Sequence, residues 1–233
     1  MIKIFRCECR RLLCNKFFIG LLAVLLFYAG ALPGVAHTAP FSPWSFGAYL
    51  GRLLPLVWVG ALFFLTFFTS ARERRAAVLT AATPADPRRY ALARCAAALV
   101  GVALLCLAAL ALAALLYARL FGWTDWGSLA LPALVILAPP LVFALGSGWL
   151  LGRLRPWLLY VWMLLPFALA ALPLPEALGL WNGGLCTSYP LTLGMLDPAF
   201  SLPAAAWAVQ GLLLAAGVLL LLVAGKGKKV YNQ

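Results

Sequence analysis

Six long apolar stretches dominate the chain and limit what it can fold into. They cover residues 17–36, 53–71, 95–118, 128–152, 157–174 and 202–225, and none of them contains Asp, Glu, Lys, Arg or His. A helix that crosses the hydrocarbon core of a bilayer needs about 20 apolar residues. We therefore predict an all-α integral membrane protein with six transmembrane helices, organised as a single domain over residues 1–233.

The basic residues between these stretches are distributed unevenly, and this predicts the orientation. Of the 18 Lys and Arg, only Arg52 and Arg119 fall on one side, in connections between spans. The others lie in the N-terminal arm, the second and fourth connections, and the C-terminal tail. Short loops rich in Lys and Arg stay in the cytoplasm, so we predict both termini inside. The net charge of +12 then indicates an anionic lipid surface as partner, and no nucleic acid.

The N-terminal arm, residues 1–15, predicts an interfacial elbow helix ahead of the first span. Its apolar residues recur at three- and four-residue spacing, while Arg6 and Arg10 fall on another face. Such a helix suits the headgroup layer, where we expect Arg6, Arg10 and Arg11 to anchor it to anionic lipid. A plain continuation of the first span is the alternative. We expect the segment to be retained rather than removed as a signal peptide.

The second connection is the most informative segment after the spans. Residues 72–82 contain good helix formers without a breaker, and Thr83-Pro84 ends that helix because the residue before a proline leaves the α region. From the residues alone two interpretations stay open. The segment is either a rigid charged helix that a cytoplasmic partner grips, or a solvated loop whose arginines only set the topology.

This loop, combined with the elbow and six spans in 233 residues, resembles the permease subunits of type 2 ABC exporters. In that family an opening rich in Arg and Glu follows the second span, and a coupling helix, a Ser/Thr-Pro turn and a basic run come next. The matching residues here are Arg72, Glu73, Arg74, Arg75, Thr83, Pro84, Arg88, Arg89 and Arg94. The chain departs from the pattern at Ala76-Ala77, where glycine or threonine is common.

The resemblance implies a division of labour between subunits. The coupling helix, residues 72–83 with Leu79, would dock in a groove of a cytoplasmic ABC ATPase, and a second permease, a copy or a relative, would complete the pathway. Glu73 would position the helix through a basic partner on the ATPase or pair with neighbouring arginines. The chain would lie in the bacterial cytoplasmic membrane as part of an exporter, and peptide, lipid, drug and polymer all fit as cargo.

Catalytic and metal-binding patterns are not found in the sequence. The chain has no Gly-x4-Gly-Lys-Ser/Thr run, so ATP and Mg²⁺ would bind to the partner ATPase, and we expect no cofactor in this chain. No span holds a histidine or lysine to activate Ser147, so residues 146–152 predict close helix packing rather than a hydrolase site. The six cysteines lack ligand spacing for a metal. We predict no enzyme; an ATP-independent channel or membrane scaffold is the chief alternative.

Two further expectations concern the pathway and its outer end. By resemblance the second and fifth spans line the pathway, which makes Phe64, Phe67, Phe68 and Tyr160 candidate lining residues for a lipophilic or amphiphilic cargo. Aromatic residues that simply face lipid are the alternative. The outer segment, residues 175–201, is mostly apolar and too short to span, so we expect a re-entrant hairpin rather than a surface loop.

Overall fold

The computed structural model describes residues 2–32, 42–69, 87–172, 174–194 and 198–225, and every regular element within these ranges is helical. The α-helices are α1 Ile2–Leu13, α2 Lys16–Ala31, α3 Pro43–Thr69, α4 Pro87–Phe121, α5 Gly127–Leu154, α6 Trp157–Ala171, α7 Gly184–Thr192 and α8 Ala204–Gly225. A 3₁₀-helix covers Glu176–Trp181.

Four of these helices, α3, α4, α5 and α8, are long and apolar enough to cross a membrane. Helices α1 and α2 together form a further candidate, bent by 58°. Asn15 stands at the bend and starts α2, because its side chain accepts a hydrogen bond from the Phe17 N–H at 3.3 Å. The predicted all-helical, multi-pass membrane fold is thus confirmed with four to five candidate spans. Helix α6 is apolar but has only 15 residues.

Helix α3 lies at the centre of the bundle. Most of its residues are buried, as are most of α5, whereas few residues of α8 are. The fully buried Trp58 of α3 donates from Nε1 to the carbonyl oxygen of Trp162 on α6 at 3.2 Å. Its ring centroid also lies 5.2 Å from that of Trp181 in the 3₁₀-helix. One side chain of α3 therefore holds both α6 and the outer segment in place.

Glycines bring α5 and α8 into close contact. A Cβ added to Gly146 would lie 2.5 Å from the carbonyl oxygen of Gly217, and a Cβ on Gly217 would lie 2.6 Å from the backbone nitrogen of Phe143. The close helix packing predicted for this stretch is confirmed. Ser147, in the same stretch, donates to the Phe143 carbonyl at 2.6 Å and accepts from Trp162 Nε1 at 2.9 Å. Its hydroxyl therefore joins α5 to α6.

Helix α3 begins earlier than predicted, at Pro43 instead of near residue 53. Ser42 and Ser45 exchange backbone-to-hydroxyl hydrogen bonds of 2.9 and 3.4 Å at its start, in the manner of a capping box. Trp44 Nε1 also donates to the Pro198 carbonyl at 2.9 Å, which fixes this turn on the chain ahead of α8. As a consequence Arg52, which the hydropathy pattern places in a connection, lies inside α3.

The outer segment, predicted as a re-entrant hairpin, forms the 3₁₀-helix and α7, and both pack on α3. Its side chains Trp181 and Leu185 are buried. A Cβ on Gly51 would lie 2.6 Å from the Gly183 nitrogen, and Gly183 has a φ of 74°, which favours glycine. The segment is therefore an integral part of the bundle, and its depth in a membrane stays a prediction.

Candidate functional site

The residues expected to contact an ATPase, Arg72, Glu73, Arg74, Arg75, Leu79, Thr83 and Pro84, lie outside the described residues. The helices on either side of that loop are described, with α3 ending at Thr69 and α4 beginning at Pro87. The candidate site is therefore built from the side chains that surround these two helix ends.

A cluster of polar and aromatic side chains joins α1, α3 and α4 beside the ends of the basic loop. We call it the Glu8 cluster, and it consists of Glu8, Arg11, Phe68, Tyr90 and Arg94. Tyr90 OH donates to Glu8 Oε1 at 2.9 Å, and Arg94 Nε donates to the same oxygen at 3.2 Å. Arg94 also donates from its terminal nitrogen to the Tyr90 hydroxyl. Glu8 therefore holds two side chains that stand one helical turn apart on α4.

Arg94 extends this cluster to the end of α3. Its guanidinium carbon lies 4.2 Å from the ring centroid of Tyr90 and 5.4 Å from that of Phe68. A guanidinium within about 6 Å of an aromatic face is attracted by the ring quadrupole. A single arginine thus contacts the last turn of α3, the first turns of α4 and the carboxylate of α1.

The spacing of the residues explains why these helices meet. Tyr90 and Arg94 stand four residues apart and Gly101 seven residues further, so all three share one face of α4. Glu8 and Leu12 share one face of α1 in the same way. A Cβ on Gly101 would lie 2.9 Å from Leu12 Cδ2 and 3.0 Å from Phe64 Cε2, so the glycine admits side chains from both α1 and α3. Small residues and one carboxylate therefore dock α1 on α4.

The buried carboxylate of Glu8 has an arginine beside each of its two oxygens. Glu8 is only 5% exposed, and a buried carboxylate is expensive unless it is paired and hydrogen-bonded. Arg94 forms a hydrogen-bonded ion pair with one oxygen of Glu8, and a guanidinium nitrogen of Arg11 lies 3.8 Å from the other oxygen. Burial, followed by the negative charge of Glu8, raises the pKa of the neighbouring Cys9 thiol. The charge of Glu8 therefore acts on the adjacent thiol as well as on its two arginines.

The three arginines expected to anchor α1 to lipid, Arg6, Arg10 and Arg11, are all exposed on that helix. Leu12, on the apolar face, is buried instead against α4. The apolar face that predicts burial in the headgroup layer is thus partly used for helix packing. Arg11 also lies 3.8 Å from Glu8, and the anchoring of the three arginines to lipid stays a prediction.

The candidate pathway residues are placed in two different settings. Phe64 is 1% exposed and stacks on Phe18 of α2 with centroids 5.9 Å apart. Phe67 lies 5.2 Å from Phe63, and Phe68 packs on Trp149 and beneath Arg94. Tyr160 of α6 is 59% exposed. The phenylalanines lie among packed aromatic rings, Tyr160 lies on the surface of the subunit, and a lining role for them stays a prediction.

Sequence analysis missed Glu8, although a signal was present. Glu8 is the only acidic residue before Glu73 and sits among the basic residues of the arm. Glu8 also shares one helix face with the apolar Leu12, four residues later. A carboxylate on the apolar face of a helix indicates a partner elsewhere in the protein. The partner could have been sought at Tyr90 and Arg94, which share a helix face at the start of the third span.

Within the described ranges, no three His, Cys, Asp or Glu side chains come together as a possible metal site. Comparisons of the chain with protein-family models, with curated proteins and with solved structures give no match.

Proposed function

We propose that the chain is the membrane subunit of an ATP-driven ABC transporter, an exporter of a lipophilic or amphiphilic substrate that works with a separate cytoplasmic ATPase. The observation that carries this proposal is the Glu8 cluster. It connects α1 to both helices that flank the basic loop. A loop whose two ends are held by one cluster can pass a force to several helices, whereas a mere topology signal does not need such a connection.

The proposal includes six crossings with both termini in the cytoplasm. Helix α2, with α1 as its interfacial elbow, supplies one crossing and α6 another, in addition to α3, α4, α5 and α8. At 1.5 Å per residue, α6 is about 22 Å long, so residues next to it must complete its crossing of a core about 30 Å thick. The contact of Glu8 with Arg94 supports the orientation, because it joins the basic arm and the basic loop on one side.

The cluster suggests how a stroke of the ATPase would spread. A helix at residues 72–83, pushed by an ATPase, would move the ends of α3 and α4. Phe68 and Arg94 would carry that movement to Glu8 on α1. The exposed arginines of α1 would bind lipid headgroups and hold this helix at the membrane surface. Glu8, Tyr90 and Arg94 are then positioning residues, which act through the loop.

The remaining parts of the proposal concern the partners. A second permease, a copy or a relative, would complete the pathway. The assembly would lie in the bacterial cytoplasmic membrane. ATP and Mg²⁺ would bind to the ATPase subunits only.

The test is a purification of the tagged chain from its native membrane in mild detergent, followed by mass spectrometry. We expect an ABC ATPase to co-purify near one to one. A double substitution, Glu73→Ala with Arg74→Ala, should abolish its recovery because it removes the charged opening of the loop. The matched control is Arg119→Ala, an exposed arginine at the opposite end of α4, which should leave the recovery unchanged.

Recovery of the chain without an ATPase under several gentle detergents would contradict the proposal and favour an ATP-independent channel or scaffold. Recovery of the ATPase with the double variant at the wild-type level would contradict the role of Glu73 and Arg74. Equal losses from the double variant and from Arg119→Ala would point to a general folding defect and remove the support for a specific contact.

A further inference from the structure

A cleft lies between α2, α3 and α6, away from the Glu8 cluster. Its volume is about 530 Å³, within the range of about 300 to 1,000 Å³ that small-ligand sites occupy. Phe27 and Tyr28 of α2, Arg52 and Pro55 of α3, and Phe167 of α6 line it, and Asn182 of the outer segment closes one end. Most of the lining is apolar, with polar groups confined to Tyr28, Arg52 and Asn182.

Arg52 is the feature that makes this cleft unusual. It is the only charged residue in the 27 residues of α3 and lies nine residues after the start of that helix, about 14 Å along its axis. Helix α3 is about 40 Å long and exceeds a hydrocarbon core of about 30 Å, so Arg52 can lie near the edge of the core, within reach of lipid phosphates. Charged residues within spanning helices are usually functional. A guanidinium has five N–H donors, so it can serve a ligand in addition to a protein partner.

Asn182 adds a second donor next to Arg52. Its Oδ1 accepts a hydrogen bond from the Gly184 N–H at 2.9 Å, so the amide offers a ligand its NH₂ group. The polar end of the cleft thus presents donors, and none of the described lining residues is acidic. Donors of this kind, and a guanidinium above all, suit the oxygens of a phosphate.

The polar end is held rigidly. Gly51 and Gly183 are in backbone contact next to Arg52 and Asn182, where a Cβ on Gly51 would lie 2.6 Å from the Gly183 nitrogen. Tyr28 OH donates to the Arg52 carbonyl oxygen at 3.4 Å and links α2 to α3. The backbone that carries the two donor side chains is therefore held in place before a ligand arrives, which reduces the entropy lost on binding.

The mouth of the cleft faces the surroundings of the spanning helices. Phe27 is 80% exposed, and Val24 and Phe167 beside it are also exposed. Exposed aromatic and aliphatic side chains on membrane-spanning helices contact lipid chains rather than water. A ligand that enters between α2 and α6 meets these apolar side chains first, and an acyl chain of a lipid suits them.

We propose that this cleft binds an anionic phospholipid, with its phosphate on Arg52 and Asn182 and an acyl chain between Phe27 and Phe167. The single cationic side chain selects the negative headgroup, and the apolar walls accommodate the chain. This site does not depend on the proposed transport function, because a channel or a scaffold with the same cleft would bind the same lipid.

The test is native mass spectrometry of the purified full chain after incubation with phosphatidylglycerol or with phosphatidylcholine. We expect the wild type to retain one phosphatidylglycerol, and Arg52→Ala to weaken this binding about tenfold, as expected for a hydrogen-bonded charge worth about 1.4 kcal/mol. Arg119→Ala, the matched control, should bind like the wild type. Phosphatidylcholine, whose choline cation offsets the charge of its phosphate, should bind more weakly to the wild type and lose less affinity than phosphatidylglycerol on Arg52→Ala.

Two further measurements test the apolar part of the cleft. Ala170→Trp fills the cleft from the exposed side of α6 and should also abolish retention of phosphatidylglycerol, even with Arg52 intact. Inorganic phosphate at millimolar concentration should not displace the lipid, because it lacks the acyl chain. Undiminished retention by Arg52→Ala and by Ala170→Trp would overturn the proposal, as would displacement by phosphate alone or an equal loss with Arg119→Ala.

Discussion

Arg94 and Arg52 both lie on helices of membrane-crossing length, yet their surroundings differ. The Arg94 side chain is 13% exposed, donates to Glu8 at 3.2 Å and lies over the rings of Tyr90 and Phe68. Arg52 lies half-buried in a mostly apolar cleft between α2, α3 and α6. An arginine that is enclosed with a buried carboxylate joins helices, whereas an arginine that lines a cleft can also offer donors to a ligand.

The largest effect that tests this comparison is expected from Arg94→Ala. The substitution leaves Glu8 buried without its hydrogen-bonded arginine, and breaking a buried ion pair from one side costs about 3 kcal/mol or more. We expect the free energy of unfolding, measured by SDS titration in mixed micelles, to fall by about that amount. Arg52→Ala should lower it by less, because it leaves the carboxylate of Glu8 paired with Arg94. Equal losses would remove the distinction between the two arginines.

A smaller effect is expected from Tyr90→Phe, which keeps the ring beneath Arg94 and removes the hydroxyl that donates to Glu8. A hydrogen bond to a charged group has a net value of about 1.5 to 3 kcal/mol, and we expect a decrease at the lower end of that range in the same titration. Tyr160→Phe removes an exposed hydroxyl and serves as the control, with no change expected. If Tyr90→Phe were as stable as the wild type, the hydrogen bond to Glu8 would have no structural role.

The smallest effect concerns the reactivity of Cys9, measured in a chain that retains Cys9 as its sole cysteine. Glu8→Gln removes the negative charge that helps raise the pKa of this thiol. The pKa should then fall, so that more thiolate is present at a given pH and alkylation by N-ethylmaleimide becomes faster. The increase should be small, because burial is the larger cause of the raised pKa.

The pH profile of this alkylation separates charge from unpacking. A lower pKa moves the midpoint of the rate profile to lower pH, whereas loosening of α1 raises the plateau at high pH. A midpoint that stays in place after Glu8→Gln would show that the Glu8 charge does not reach Cys9.

Much of the helical framework could be predicted because its signals are local. The apolar stretches at residues 95–118 and 128–152 lie within α4 and α5, since length and hydropathy depend only on neighbouring residues. The small residues from Gly146 to Gly152 predicted close contact, because a helix face without side chains allows another helix to approach. The six-span count, the orientation and the role of the basic loop stay predictions.

The residues that matter most in the two candidate sites could not be placed in this way. The hydropathy pattern put Arg52 in a connection, because a charge normally ends an apolar stretch. The serines at the start of α3 and the contact of Trp44 with Pro198 extend that helix past it. Glu8 drew no attention in a basic arm, since its partners lie more than 80 residues further along the chain.

The sequence by itself determined that the chain is an all-helical membrane protein, where its long helices run and where glycines permit close packing. These properties follow from the transfer of apolar side chains out of water and from the local geometry of the helix. Only the tertiary structure decided that Glu8 meets Arg94 and that Arg52 faces a cleft with Asn182. The role of a charged side chain in a membrane protein depends on the groups that packing brings within a few ångströms. The order of residues along the chain does not specify those groups.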